Sequence, residues 1–258
     1  MSRLPSTTRA LVTGPTAGIG RCFAVQLAER GHDLVLVARN RTALEELADE
    51  LRSSHGVDVE VLVADLADRT ELAAVEARLA QRDRPVGLLV NNAGFGLKKP
   101  FLANDLEDEQ RMLDVLVTAV LRLSHVAMRG MVERGEGGVI NVSSVAGYLP
   151  RGTYSAAKAY VTQLSRWADA TFRDQGVRTM ALLPGFTRTE FHERMDVSRD
   201  SAPSWLWLDA DRLVRDALHD FDSGKAVSVP DVRYKAITAV AQYVPAGVLA
   251  RFQSLGRK

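Results

Sequence analysis

The fold is decided by residues 10–20, ALVTGPTAGIG, in which a short apolar run leads into a glycine-rich turn. The apolar run predicts a buried strand, and the residues that follow have the apolar spacing of a helix. In the turn, Gly14, Gly18 and Gly20 allow positive φ and close approach of the backbone. Because a helix N-terminus offers free N–H groups and the positive end of its dipole, the turn predicts a phosphate-binding cradle. Its spacing differs from that of a P-loop, which disfavours hydrolysis of nucleoside triphosphates, and an ordinary turn without a ligand is the alternative.

Strands and helices alternate along the rest of the chain. Short runs rich in Val, Leu and Ile predict strands at Ala10–Thr13, Leu34–Ala38, Val59–Ala64, Gly87–Asn91, Gly138–Val142, Val177–Leu183 and Ala226–Val229. The helical patterns between them predict helices at Ile19–Arg30, Thr42–Ser53, Arg69–Arg82, Leu106–Arg134, Thr153–Gln175 and Asp209–Asp222. This alternation predicts an α/β fold with one Rossmann-like, doubly wound parallel sheet and helices on both faces. Since neither a linker nor an internal repeat interrupts it, we expect residues 1–258 to form one domain.

Composition narrows the class of protein. The formal net charge of +1 gives no electrostatic reason to expect a nucleic-acid partner. The only cysteine, Cys22, has no internal partner, and no Cys/His spacing indicates a metal site, which favours a reducing, cytoplasmic setting. Met1–Arg9 lacks the apolar region of a signal peptide, and Ala236–Ala250 is too short and interrupted to span a bilayer, so we expect no transmembrane segment.

A second motif pairs a phenol with an ammonium group. Tyr154 and Lys158 are four residues apart, so on a helix they share one face. A tyrosine pKa near 10 is too high for a base at neutral pH, and a neighbouring ammonium is expected to lower it. The pair therefore predicts Tyr154 as the acid/base of a carbonyl–alcohol redox reaction, with Lys158 tuning it and holding the cofactor ribose. Ser144, at the end of a predicted strand, is expected to orient the carbonyl, whereas Ser143 faces packing. A surface helix pair is the alternative.

The end of the second predicted strand indicates the cofactor. An acidic residue there favours NAD, whereas a nearby arginine accommodates the 2′-phosphate of NADP. This strand is followed by Arg39, Asn40 and Arg41, with no carboxylate. The sequence therefore predicts NADP(H), bound through Arg39, in preference to NAD(H).

Together these residues resemble the classical short-chain dehydrogenase/reductase family over about Arg9–Phe191. The matching motifs are Thr13-Gly14-x-x-x-Gly18-x-Gly20, Asp65-Leu66, Asn91-Asn92-Ala93-Gly94, Ser144, Tyr154-x-x-x-Lys158 and Pro184-Gly185-Phe186-Thr187-Arg188-Thr189. The resemblance implies about seven strands and a transferred hydride. It implies that Asp65 and Leu66 lie against adenine, that Asn91, Ala93 and Gly94 line the cofactor side of the fourth strand, and that Pro184 to Thr189 wrap the nicotinamide end. The expected cofactor contacts are Gly14, Thr16, Ala17, Gly18, Ile19, Gly20, Arg39, Asp65, Leu66, Asn91, Ala93, Gly94, Tyr154, Lys158, Pro184, Gly185, Thr187 and Thr189.

Two departures from the family pattern affect the site. Members usually carry an asparagine in the long helix before the serine strand, where it helps to hold a water in a proton relay, but Leu116 occupies that position. Either the relay uses backbone and water alone, or turnover is weak. In addition, the segment from Ser144 to Tyr154 is shorter than is common, which predicts a tight loop at residues 148–152 and an open pocket beside it.

The remaining features concern substrate and partners. Five apolar residues are candidates to line a pocket for an apolar ketone or alcohol: Phe95, Phe101, Leu149, Phe186 and Phe191. Trp205 and Trp207 suggest an apolar lid over about residues 187–222, and packing or a subunit contact is the alternative. The basic, apolar tail at about residues 231–258 indicates either peripheral membrane contact or a cover for the domain or oligomer. The predicted long helices Leu106–Arg134 and Thr153–Gln175 resemble the pair through which family members form homodimers or homotetramers. A cofactor-binding regulatory or scaffold protein with little turnover is the alternative function.

Overall fold

The structure, a computed structural model, describes residues 8–189 and 203–241. Within them, seven strands form one sheet in the order β3-β2-β1-β4-β5-β6-β7, and all neighbours run parallel. The strands are β1 Arg9–Thr13, β2 Leu34–Ala38, β3 Val59–Val63, β4 Val86–Asn91, β5 Gly137–Val142, β6 Val177–Leu182 and β7 Val227–Ser228. The predicted doubly wound α/β fold is confirmed, and the strand bounds agree within two residues.

Eight α-helices accompany these strands in the described parts of the chain. They are α1 Gly18–Glu29, α2 Arg41–His55, α3 Arg69–Leu79, α4 Leu106–Leu113, α5 Val120–Arg134, α6 Thr153–Phe172, α7 Ala210–Asp222 and α8 Val232–Ala241. A π-helical segment, Asp114–Ala119, joins α4 to α5. The predicted helix Leu106–Arg134 is therefore continuous but locally wider than an α-helix, a feature that apolar spacing alone does not reveal.

The core is divided between the two faces of the sheet. Alternate residues of β1 face opposite sides: Ala10 and Val12 pack with α1, α2 and α7, whereas Leu11 packs with α3, α5 and α6. Because both faces are covered, the strands are apolar almost throughout, as expected for a parallel sheet. This arrangement fixes which ends of the strands remain free to form a site.

The strand order reverses between β1 and β4, which are neighbours although their connections leave in opposite directions. In open parallel sheets, ligands bind outside the carboxyl ends of the strands at such a switch point. The loops after β1, β4, β5 and β6 open at this edge. They carry the glycine-rich turn, the 91–94 segment, Ser144 and the 184–189 segment.

The helical stretch Leu106–Arg134 is, among the described residues, the one helix long and apolar enough to cross a membrane by length and composition. Its residues Leu116, Leu123 and Met131 are nevertheless buried in the core of the domain. Packing against the sheet and against α3 and α6 therefore accounts for its apolar character. The predicted lid and tail are described only in part, since residues 190–202 and 242–258 lie outside the described residues.

Candidate functional site

The glycine-rich turn has the backbone that its sequence predicts. Gly14 has φ +64 and Gly18 has φ +52, conformations that other residues rarely adopt. At Gly20 the requirement is space, because an added Cβ would come within 2.1 Å of the Gly14 carbonyl oxygen. The turn therefore approaches α1 more closely than any residue with a side chain allows.

The N-terminus of α1 offers donors to an anion. Ala17, which precedes the helix, supplies no side-chain cap, and the first turn contains no acidic residue. By contrast, α2 and α3 are capped by Asn40 and Asp68, whose side chains accept hydrogen bonds from backbone N–H groups. Within the described residues the first N–H groups of α1 thus have no side-chain acceptor, which fits a phosphate. Thr16, Ala17, Gly18 and Ile19 are all partly exposed around this opening.

Two residues that the sequence analysis did not assign hold the turn in place. The Asn92 side-chain amide donates to the carbonyl oxygens of Thr13 and Gly14, both at 3.0 Å. The Thr13 hydroxyl in turn accepts from the backbone N–H groups of Asn92 at 2.9 Å and Ala93 at 3.0 Å. Thr13 belongs to the glycine-rich motif and Asn92 to the 91–94 motif, and these positions were the only sequence signal for their role. Together they lock the loop after β4 to the loop after β1.

The structure turns the side chain of Asn91 away from this opening. Its amide donates to Ser124 Oγ at 3.0 Å and to Asn141 Oδ1 at 2.8 Å, and Asn141 donates to Ser165 Oγ at 2.9 Å. These residues form a buried chain of hydrogen bonds from α5 through β4 and β5 to α6. Asn91 is still predicted to line the cofactor side of the fourth strand, but its side-chain amide does not face that side. Its amide is instead used inside the core, where an unpaired polar group is costly.

Two arginines meet one carboxylate near the ends of β2 and β3. Asp65 forms a hydrogen-bonded ion pair with Arg111 of α4, and Arg39 Nη1 lies 4.0 Å from Asp65 Oδ2. Burial alone would raise the pKa of the Asp65 carboxyl. The hydrogen bonds from the Ala67 amide and Arg111, together with the charge of Arg39, nevertheless hold that pKa below its usual value. Arg111 was missed because it lies 46 residues from its partner.

Two other predicted contacts differ in exposure at this end of the site. The Arg39 side chain is 69% exposed and so is accessible to a ligand. Leu66, predicted to lie against adenine, is buried and packs in the core beneath α3. Its side chain is thus packed in the core, and its contact with adenine stays a prediction.

The three predicted catalytic residues come together after β5 and at the start of α6. Ser144 shares a side-chain hydrogen bond with Tyr154. Lys158 Nζ lies 5.7 Å from the centre of the Tyr154 ring and donates to the Val142 carbonyl oxygen at 2.8 Å. Ser143 faces packing, as predicted, because its hydroxyl donates to the Lys158 carbonyl oxygen at 2.7 Å. The end of β5 therefore positions both the hydroxyl and the ammonium group.

Burial dominates the protonation of this pair. It raises the pKa of Tyr154 to about 12, which the Ser144 hydrogen bond only partly opposes. Burial also lowers the pKa of Lys158 to about 8. The expected lowering of the tyrosine pKa by Lys158 is wrong here, because the ammonium points at a carbonyl oxygen and the desolvation of the phenol prevails. At neutral pH the site therefore holds a protonated phenol beside a largely protonated amine.

The predicted tight loop at residues 148–152 is confirmed, since the Arg151 amide donates to the Leu149 carbonyl oxygen at 2.9 Å, whereas the open pocket beside it stays a prediction. Ser144 begins a short 3-10 turn, Val145–Tyr148, by accepting a hydrogen bond from the Ala146 amide at 3.1 Å. The Leu149 amide donates to the Ala146 carbonyl oxygen at 3.0 Å, and Gly152, with φ +84, leads directly into α6. The shortness of the segment thus forces two successive turns.

Leu116 lies in the π-helical segment, next to the catalytic group. It is buried, and a Cβ added to Gly94 would lie 2.8 Å from Leu116 Cδ2 and 4.0 Å from Lys158 Nζ. It packs in a small apolar cluster with Met112 and Ala157, against which Tyr154 also packs. The position usually held by an asparagine is thus apolar here, while a wider helical turn surrounds it.

The segment after β6 is built by backbone contacts. The Val145 amide donates to the Pro184 carbonyl oxygen at 3.0 Å, which ties this segment to the residue after Ser144. Thr187 is buried, and its hydroxyl donates to the Gly185 carbonyl oxygen at 3.1 Å. Gly185 and Thr189 are partly exposed. The predicted nicotinamide-end residues therefore border the opening beside Ser144.

The candidate apolar pocket residues do not form one group. Phe95 packs with the Tyr154 cluster, whereas Phe101 is 56% exposed. Phe186 packs on Trp207, with ring centres 5.7 Å apart. Leu149 is partly exposed, and Phe191 lies outside the described residues. Trp205 of the predicted lid is largely exposed. In the described part of the chain, no group of three metal-ligating side chains is present.

The comparisons with known proteins give matches to dehydrogenases and reductases. Residues 8–199 match the family model described as short chain dehydrogenase. A very-long-chain 3-oxoacyl-CoA reductase from Anas platyrhynchos is 31% identical over 216 residues, which are 81% of this chain and 67% of that protein. The solved structure of a short-chain dehydrogenase from Sphingobium yanoikuyae in complex with NADPH is 36% identical, with a TM-score of 0.84 over 94% of this chain and 95% of that one. A bulky-bulky ketone specific alcohol dehydrogenase from Comamonas testosteroni is 31% identical, with a TM-score of 0.80 over 95% and 94%.

Proposed function

The chain belongs to the short chain dehydrogenase family, and we propose that it interconverts a ketone and a secondary alcohol with NADP(H). The observation that carries this proposal is the meeting of Ser144, Tyr154 and Lys158 at the edge of the sheet where the phosphate cradle opens. The alternative, in which Tyr154 and Lys158 are only a surface pair on a helix, does not explain why they lie beside Ser144 at the same sheet edge as the glycine-rich turn.

The cofactor would be held along the carboxyl edge of the sheet. The uncapped start of α1 suits its phosphates, and the exposed Arg39 suits the 2′-phosphate of NADP(H). Around Asp65 two guanidinium groups face one carboxylate, so the local charge favours an added anion. The Sphingobium yanoikuyae relative, solved with NADPH, supports the same choice. When bound, the nicotinamide supplies or accepts the hydride.

Tyr154 is proposed to move the proton. Since its pKa of about 12 keeps the phenol protonated at neutral pH, Tyr154 is suited to donate its proton to a carbonyl oxygen during reduction. In the reverse direction the phenolate would accept the proton of the alcohol. Ser144 is proposed to orient the carbonyl by a hydrogen bond. Lys158 places a positive charge near the phenol and is proposed to bind a ribose hydroxyl.

The first experiment is a fluorescence titration with NADPH and NADH. Arg39→Ala should weaken NADPH about tenfold, because a charge-assisted hydrogen bond to phosphate is lost, and should leave NADH unchanged. Arg41→Ala is the matched control, since Arg41 is similarly exposed and lies two residues away. If neither nucleotide binds the wild-type protein, the proposed function is wrong.

A second experiment tests the chemistry. Tyr154→Phe should bind NADPH as the wild type does but reduce turnover about 10²–10⁴-fold, since only the proton donor is removed. The substrate panel should compare bulky apolar ketones with sugar-like ketoses. We propose the apolar class because Phe95 packs beside Tyr154 and because the Comamonas testosteroni relative is specific for bulky-bulky ketones. Preference for the polar ketoses would contradict this choice.

A cofactor-binding protein with little turnover is the second candidate, and Leu116 is the observation that favours it. Leu116→Asn distinguishes the two. If the π-helical backbone already serves the relay, the substitution should cost stability because it buries a polar group, and it should not raise the turnover number. A large gain in turnover would instead identify the wild type as a weak catalyst.

The exposed faces of α5 and α6 support a homo-oligomer. Leu121, Tyr160 and Trp167 expose 38–57% of their surface on these two helices. Exposed apolar patches are typical of an interface. We propose a homodimer or homotetramer through these helices, in a cytoplasmic protein.

A further inference from the structure

Tyr234 of α8 makes a set of contacts that no motif indicated. Its hydroxyl accepts a hydrogen bond from the Phe186 backbone N–H at 2.9 Å and donates one to the Leu206 carbonyl oxygen at 2.8 Å. The residue is only 3% exposed. One side chain thus joins the segment after β6, the short 3-10 turn Ser204–Leu206 and the last described helix.

The Tyr234 ring also explains a glycine. A Cβ added to Gly185 would lie 2.0 Å from Tyr234 Cζ, so the ring packs directly against the Gly185 backbone. Gly185 has no positive φ, and its requirement is therefore space rather than backbone conformation. The glycine of the Pro184–Thr189 motif and a tyrosine 49 positions later form one packing unit.

We infer that Tyr234 is a positioning residue that fixes residues 184–187 at the proposed nicotinamide end of the site. This inference rests on the proposed function. Tyr234 holds the Phe186 N–H, and the Leu208 N–H donates to the Phe186 carbonyl oxygen at 2.7 Å. On the other side the Pro184 carbonyl oxygen accepts from the Val145 amide, next to Ser144. The position of residues 184–187 relative to Ser144 therefore depends on both anchors.

The phenol is suited to a permanent contact. Burial raises the pKa of Tyr234 to about 12, so its proton stays available for the Leu206 carbonyl oxygen over the physiological range. The preceding residue, Arg233, donates to the Trp205 carbonyl oxygen and pairs with Asp231. These contacts hold the start of α8 against the same turn and keep the Tyr234 ring in place.

The test replaces Tyr234 with phenylalanine, which keeps the ring and removes both hydrogen bonds. Tyr234→Phe should weaken NADPH binding about tenfold, because the Phe186 N–H within residues 184–187 loses its hydroxyl acceptor. It should leave the affinity for adenosine 2′,5′-bisphosphate unchanged, because this fragment lacks the nicotinamide half. Ser53→Ala, which removes an exposed hydroxyl of α2 that donates to the Glu50 carbonyl oxygen, is the matched control. Equal weakening of both ligands, or no change in either, would overturn the inference.

A second readout does not depend on a ligand. Amide hydrogen exchange of the free protein should become faster at Phe186 in Tyr234→Phe, while Val139 in the central strand stays protected. Unchanged exchange at Phe186 would also overturn the inference. If the wild type fails to bind NADPH, the proposed function fails and so does the nicotinamide role of Tyr234. The exchange data then show whether the contact itself exists.

Discussion

Replacing Lys158 with methionine should change how the stability of the protein depends on pH. The ammonium of Lys158 is buried, and desolvation lowers its pKa from 10.5 to about 8. Between these two values the unfolded chain holds a proton that the folded chain has released. Since the unfolded state then binds more protons, the free energy of unfolding rises with pH in that window.

The magnitude follows from the separation of the two pKa values. Over the whole window the Lys158 contribution changes by about 3 kcal/mol, at 1.36 kcal/mol per pKa unit. Between about pH 7 and about pH 9.5 the free energy of unfolding rises by about 2 kcal/mol of this total, because pH 9.5 still lies below the pKa of the lysine in the unfolded chain. Tyr154 acts in the opposite sense only above this range, since its pKa is raised from 10.0 to about 12.

The assay is urea unfolding of wild type and Lys158→Met at matched pH values across that range. The free energy of unfolding of the wild type should rise by about 2 kcal/mol relative to the variant. Other titrating groups are shared and cancel in the difference. Lys235→Met, at an exposed position of α8, gives the baseline for the same chemical change at the surface. A wild-type-minus-variant difference that stays flat or falls with pH would refute the assignment of a buried ammonium.

Three further outcomes follow from the packing. Gly20→Ala should destabilise the protein by about 1–3 kcal/mol and abolish NADPH binding, because its Cβ would meet the Gly14 carbonyl oxygen. Gly130→Ala in α5 should change the stability by less than about 1 kcal/mol, since its gain in helix propensity is opposed by a Cβ contact of 3.1 Å with Arg134 Nη1. Thermal unfolding and nucleotide titration report both effects. Asn141→Leu should lower the free energy of unfolding by about 2–3 kcal/mol, because it breaks the buried chain of hydrogen bonds. An unchanged midpoint of urea unfolding would contradict the stabilising role of Asn141. Trp167→Glu should shift the sedimentation coefficient to a smaller species, and an unchanged value would place the oligomer interface elsewhere.

Local sequence signals determined the fold class. A strand, a glycine-rich turn and a helix must follow each other within residues 10–30, and apolar runs too uniform for a one-sided sheet required helices on both faces. The sequence also brought Tyr154 and Lys158 together, because i, i+4 spacing on a helix fixes their neighbourhood. Such features depend on neighbours in the chain, so they are present before any tertiary contact forms.

The tertiary structure alone decided the properties that depend on burial and on distant partners. It turned Asn91 into the core and set the tyrosine pKa against the expected direction, since desolvation depends on everything packed around the phenol. It also paired Arg111 with Asp65 and Tyr234 with Phe186, contacts between residues 46 and 48 positions apart. Periodicity and short motifs carry no information about such pairs, because the fold brings them together only when the sheet is complete.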